Sequence, residues 1–173
     1  MLEMKIDIRS LSEDQIIDFF KEKGFDSYRG KQIYEWIWKK STYSFDEMTN
    51  LSKDLRLMLN SNFVINHIEV DKIQKSSDVT IKNAVKLFDD YTVESVLIPT
   101  DNRTTACVSS QVGCSLDCKF CATSKLKRMR NLNPDEIYDQ VVTINNQSLK
   151  YFKRSLSNIV FMGMVKPLMN YNN

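Results

Sequence analysis

The sequence has almost no excess of charge: 24 lysines and arginines against 22 acids leave +2 over 173 residues. A balance that mild does not point to nucleic acid by itself, and distribution matters more than the total. No run approaches the twenty apolar residues that span a bilayer, so no membrane helix is expected. Histidine is nearly missing. The single His67 is far from every cysteine, which removes the paired Cys–His zinc sites. No charged, apolar and small-residue leader opens the chain, which argues against export and against disulfides among the four cysteines. What remains is 42% hydrophobic and 27% charged. That reads as a soluble globular chain, expected to be cytoplasmic, with material for one sizeable core or two small domains.

All four cysteines fall in one stretch, ACVSSQVGCSLDCKFCATS, from Ala106 to Ser124. Cys114, Cys118 and Cys121 make a C-x3-C-x2-C pattern, and Cys107 precedes them. Three thiolates on one short loop suit an iron–sulfur cubane, whose irons take cysteine sulfur. A ferredoxin would supply a fourth cysteine close by; three ligands leave one iron open to a small molecule. Zinc would want two ligand pairs, with Cys107 as a possible fourth donor, and unligated thiols are the remaining reading. Spacing alone favours iron–sulfur over either.

Read in order, the chain opens with helical periodicity. Ser10-Leu11-Ser12-Glu13 fits a capping box, Ile16, Ile17, Phe19 and Phe20 give an apolar face, and Gly24 is a stop. A second helix is expected over 27–40 with Ile33, Trp36 and Ile37 on one stripe, and a third over 52–60. Tyr34, Trp36 and Trp38 sit at packing intervals and read as core rather than as base-stacking platforms. Short β-like runs follow at Ile65–Ile73, Thr80–Phe88, Thr92–Ile98 and Thr104–Ser109, read as an antiparallel meander. Glu94, in the third run, reads from pattern alone as an outward carboxylate. After the cysteines, Lys119, Lys125, Lys127, Arg128 and Arg130 form a basic stretch with no acid in it, a solvated face or a phosphate contact. Asn133-Pro134-Asp135-Glu136 is a strong helix start, and Asn158–Met162 is a continuous apolar run of the kind found in buried parallel strands. Strand, cysteine loop, helix and strand make the opening of an α/β barrel.

CSLDCKFC, with Phe120 before its last cysteine, resembles the signature of radical S-adenosylmethionine enzymes. The longer CVSSQVGCSLDCKFCATS, the MRNL that follows, RGKQIYEWIWKKSTYSFDEMTNLSKDLR and VESVLIPTDNRTTACVSSQ resemble the RlmN family of RNA adenine methyltransferases. The resemblance implies an α/β protein with a small N-terminal helical domain over 1–62 that assists RNA binding. It further implies a β-rich connecting segment over 63–106 and the first part of a radical SAM partial βα barrel, truncated, over 107–173. Cys114, Cys118 and Cys121 would hold a 4Fe–4S cluster, and S-adenosyl-L-methionine would sit on its open iron. Cleavage of that cofactor would give a deoxyadenosyl radical, which takes hydrogen from a methylated cysteine before carbon is added to carbon 2 of an adenosine in 23S rRNA or tRNA. Cys107 would resolve the adduct through a transient disulfide, and Glu94 would take the proton, a role that suits a carboxylate shielded from water. An electron donor such as flavodoxin, no membrane and a monomeric state are the expected partners. Cfr-type methylation of carbon 8 is the nearest enzymatic alternative, and a non-catalytic RNA- or metal-binding module the alternative of another class.

Two features depart from the family pattern. The cysteine that carries the methyl group has no counterpart here, since all four cysteines lie in one stretch, so the chain is expected to be a fragment, inactive alone. The family's Gly-Glu pair, which touches the adenosylmethionine, is matched by Val165 and Lys166, where a cation replaces an acid facing an ammonium. An apolar edge at Ile159, Val160 and Phe161 is expected to lower solubility.

Overall fold

The computed structural model describes residues 5–116, 118–164 and 167–171. Val165 and Lys166 therefore lie outside the described residues. The chain divides into two compact units, Met1–Asn66 and His67–Asn173. No helix among the described residues is long and apolar enough to cross a membrane.

In the first unit, α1 (Glu13–Glu22) begins at Ser12, whose side chain accepts from the Gln15 N–H while Gln15 accepts from the Ser12 N–H. The capping box thus falls two residues later than the sequence suggests. Ser10 belongs instead to a short 3-10 turn, Ile8–Ser10, and its hydroxyl donates to the Asp7 carbonyl at 2.7 Å. Two further helices follow, α2 (Tyr28–Trp38) and α3 (Lys53–Asn62), the latter capped by Ser52. Their apolar faces bury Ile16, Phe20, Ile33, Ile37, Leu55 and Leu59 in one core. Tyr34, Trp36 and Trp38 pack partly buried against that core, and Trp36 donates its indole N–H to Asn50 at 2.7 Å. Two short strands, β1 (Ile6–Asp7) and β2 (Phe63–Val64), pair in parallel.

In the second unit the meander is present: β3 (Glu69–Lys75), β4 (Ile81–Lys86), β5 (Thr92–Pro99) and β6 (Thr104–Val108) each run antiparallel to the next. Two-residue strands β7 (Gln111–Val112) and β8 (Arg130–Asn131) then pair at the base of the cysteine loop. Helix α4 (Pro134–Phe152) leads to β9 (Asn158–Phe161), which lies parallel to β6 and makes the sheet order β3-β4-β5-β6-β9. A strand, a crossover helix and a parallel strand form a βαβ unit grafted onto an antiparallel meander.

Side chains alternate across the sheet, and α4 takes one face. Ile81, Leu97, Ala106 and Val108 pack with Ile144 there, and Asn83 exchanges hydrogen bonds with Gln147 at 2.7 and 3.0 Å. The opposite face carries Glu94, Val96 and Cys107. The apolar run at β9 forms the expected parallel pair but is not buried, because β9 ends the sheet order and leaves Ile159 and Phe161 half exposed. Burial on both faces would need a further layer against it.

Candidate metal and catalytic site

The cysteine loop is held by its stems. Gln111 and Val112 pair with Asn131 and Arg130, and the next residue is Gly113, at φ +72°. A Cβ there would stand 2.1 Å from the Lys127 carbonyl oxygen, so glycine is required twice, by conformation and by close approach. Cys114 then donates its N–H to the Leu126 carbonyl at 3.1 Å, and its Sγ accepts from the Leu116 N–H at 3.4 Å. Across the loop, the Ser124 hydroxyl reaches the carbonyls of Cys118 and Cys121 at 2.9 and 2.6 Å. Cys114 is buried; Cys118 and Cys121 are partly exposed; none of the four is joined in a disulfide.

Among the described residues no three of His, Cys, Asp and Glu are gathered closely enough to hold a metal ion. The donor set nevertheless suits an iron–sulfur cluster: three thiols outside any disulfide on one loop anchored at both stems, one sulfur already taking a backbone N–H, a bond of the kind that tunes cluster potential. Phe120, between two of the thiols, is 95% exposed.

Cys107 lies on β6 paired with Val96 of β5 and Val160 of β9. Burial pushes its thiol upward, and a backbone hydrogen bond with Met162 only partly offsets this. Glu94 lies two residues from Val96 and so shares the face of Cys107, as its diagonal neighbour. It is not shielded from water. Its carboxylate is 45% exposed and meets Lys82 Nζ of β4 at 2.5 Å. With both partners that exposed, the pair orients Glu94 more than it stabilises the fold.

The basic stretch is not uniform. Lys119, Lys125 and Lys127 are exposed, whereas Arg128 donates to Asn131 at 2.8 Å. Arg130 is committed inside the unit: it forms two 2.7 Å bonds with Glu136 and one of 2.6 Å with Asp89. The Glu136 bond raises the Arg130 pKa against the opposing effect of burial, with Asp89 adding to it. Burial works against ionised Asp89, yet the Arg130 hydrogen bond and charge outweigh it and hold that carboxyl below its ordinary value. Arg130 is therefore taken up by its two acids, while the three lysines stay exposed. No periodicity in the sequence marks Arg130 or Lys82; the Lys82–Glu94 pair is reachable only by laying out the meander's register.

These exposures predict an order of alkylation. With iodoacetamide on the metal-free chain near neutral pH, Cys118 and Cys121 react first, and Cys107 reacts at least about tenfold more slowly because it is buried and stays protonated. Peptide mass mapping against time reads the order, and early labelling of Cys107 would contradict the placement of β6.

Residues 6–65 match the family model described as the ribosomal RNA large subunit methyltransferase N-terminal domain. The chain is 71% identical to a protein from Christiangramia forsetii, over 98% of this chain and 48% of that one, and 66% identical to one from Flavobacterium psychrophilum, over 98% and 49%. Both are named probable dual-specificity RNA methyltransferase RlmN. The crystal structure of a radical SAM methyltransferase from Sphaerobacter thermophilus superposes with a TM-score of 0.81 at 33% identity, covering 96% of this chain and 49% of that one. The chain thus spans about half the length of the curated relatives it matches.

Proposed function

We propose that this chain, an RlmN-family sequence matching the N-terminal half of its relatives, carries the cluster-binding part of a radical SAM methyltransferase acting on carbon 2 of adenosine in 23S rRNA and tRNA. Cys114, Cys118 and Cys121 would hold the 4Fe–4S cluster, with S-adenosyl-L-methionine at the open iron. When bound, cluster and cofactor together supply one electron and the cleavage of a carbon–sulfur bond. The chain's own residues do the rest. Buried Cys107 waits as a thiol, out of reach of stray alkylation, on the sheet face that Glu94 shares. Glu94, oriented by Lys82, would accept the proton that leaves the substrate carbon. Lys119, Lys125 and Lys127, exposed on the cysteine loop, would neutralise RNA phosphates beside the site. Val165 and Lys166 keep only the places of the cofactor contact. All four cysteines have other roles in this reading, so a polypeptide of these residues alone would not transfer a methyl group.

The observation that carries the reading is the stem-anchored loop of three thiols outside any disulfide, following directly on the strand that sets Cys107 beside Glu94. Anaerobic reconstitution with iron and sulfide tests it. The chain is expected to take up about four irons, Cys118→Ala fewer than about one, and Cys107→Ala about four again. Metal loss in Cys107→Ala equal to that in Cys118→Ala would instead mark a four-cysteine site of the zinc type.

A further inference from the structure

Ser109 lies between Cys107 and Cys114, wholly buried, and every polar atom it has is used. Its N–H donates to Gln140 Oε1 at 2.9 Å, and its carbonyl accepts from Gln140 Nε2 at 3.1 Å. Gln140 is itself fully buried on α4, so the helix grips the Ser109 backbone as a strand would. That grip ends the pairing of β5 with β6. The register that sets Val96 against Cys107 would set Glu94 against Ser109, but the Ser109 backbone has turned to the helix. Its hydroxyl takes over, donating to the Glu94 carbonyl at 2.6 Å and accepting the Met164 N–H at 2.9 Å. Around it the Gly163 N–H donates to Val108, and the Met164 carbonyl accepts from both Ser110 and Gln111. Gly163 is pressed against this centre: a Cβ there would stand 2.5 Å from Ser109 Oγ.

We propose that Ser109, seated by Gln140, is a positioning residue that keeps three segments in register: the Glu94 strand, the entry to the cysteine loop, and the Gly163–Met164 turn. One buried hydroxyl bridges a carbonyl on β5 and an N–H after β9, so it joins the Glu94 strand to a turn that backbone bonds already tie to the loop entry. This rests on the functional reading above, because these segments lead to the proposed proton acceptor, the cluster ligands and the place of the cofactor contact.

The test compares Ser109→Ala, Gly163→Ala and the control Ser110→Ala, whose native hydroxyl is buried without a hydrogen-bond partner among the described residues. Removing the hydroxyl leaves two buried backbone groups unsatisfied, a loss expected to raise local opening about tenfold. Amide hydrogen exchange should rise by about that factor at residues 110–114 and 163–164 in Ser109→Ala and in Gly163→Ala, while β3, β4 and the first unit keep the parental rates. In reconstituted protein the iron count should stay parental, and the adenosylmethionine concentration giving half the spectral change should rise about tenfold. Ser110→Ala should match the parent throughout. Parental exchange at both segments, or a rise spread equally over β3 and β4, overturns the proposal. A parent whose cluster ignores adenosylmethionine counts against the functional reading instead, and the exchange comparison still decides the positioning role.

Discussion

Gly113→Ala is expected to unseat the cysteine loop, costing about 3 kcal/mol or more and reducing reconstituted iron from about four to under one per chain. Two effects combine. At φ +72° an alanine meets the penalty of the left-handed region, about 1–2 kcal/mol. Its Cβ must also move away from the Lys127 carbonyl, which is backbone and fixed by the bridge between Lys127 and Cys114. Separating them breaks the Cys114 N–H bond to Leu126, so the first thiol and the exit of the loop part together. Gly24→Ala is the control: it has φ +78° but nothing within 4 Å of the added Cβ, so it should show the conformational penalty alone. Thermal denaturation and iron counting on both variants separate strain from collision. Equal effects in the two would mean that the Lys127 contact is not real.

Arg130→Met should be the next most damaging change, destabilising the second unit by about 3 kcal/mol. Removing the guanidinium leaves the Glu136 carboxylate, only 3% exposed, without its cation. Glu136 also accepts the Asn133 N–H that starts α4, so the helix loses its anchor to β8. Arg130→Lys should fall between the two, because one ammonium cannot serve both carboxylates of a three-bond fork. The pH dependence has a fixed sign. Asp89 has its folded pKa lowered, so its contribution is present above the ordinary carboxylate range and fades as pH falls through the folded value. Parent and Arg130→Met should therefore differ most near neutral pH and converge below about pH 4 in urea titrations. A difference that widens on acidification would contradict the clamp.

Helices and meander strands were legible because their signals are local. Ser52 before α3, Pro134 after Asn133, and β-branched runs broken by Asp89–Asp90 fix elements whatever lies far along the chain. The cysteines were legible for the same reason: their spacing is itself the signal. What escaped depends on partners distant in sequence. Arg130 looked like one more cation because its acids, Asp89 and Glu136, lie outside the basic stretch and only the fold brings both to it. Strand alternation marks Glu94 as an outward carboxylate, and it is one; the shelter that would suit a proton acceptor has to come from whatever covers that sheet face, which alternation cannot specify. Ser109 and Gln140 had no pattern at all, being a short polar residue in a polar tripeptide and an ordinary helix position. The first capping box slipped by two residues because Ser10 and Ser12 are equivalent in sequence, and only the turn at Ile8–Ser10 distinguishes them.

The central claim is that three cysteines of this loop bind a cluster with one iron open to adenosylmethionine, and electron paramagnetic resonance of the reduced, reconstituted chain tests it most directly. About four irons per chain and a spectrum that shifts when adenosylmethionine is added are the predicted result. Stoichiometric zinc in place of iron, or a cluster whose spectrum the cofactor leaves unchanged, would contradict it.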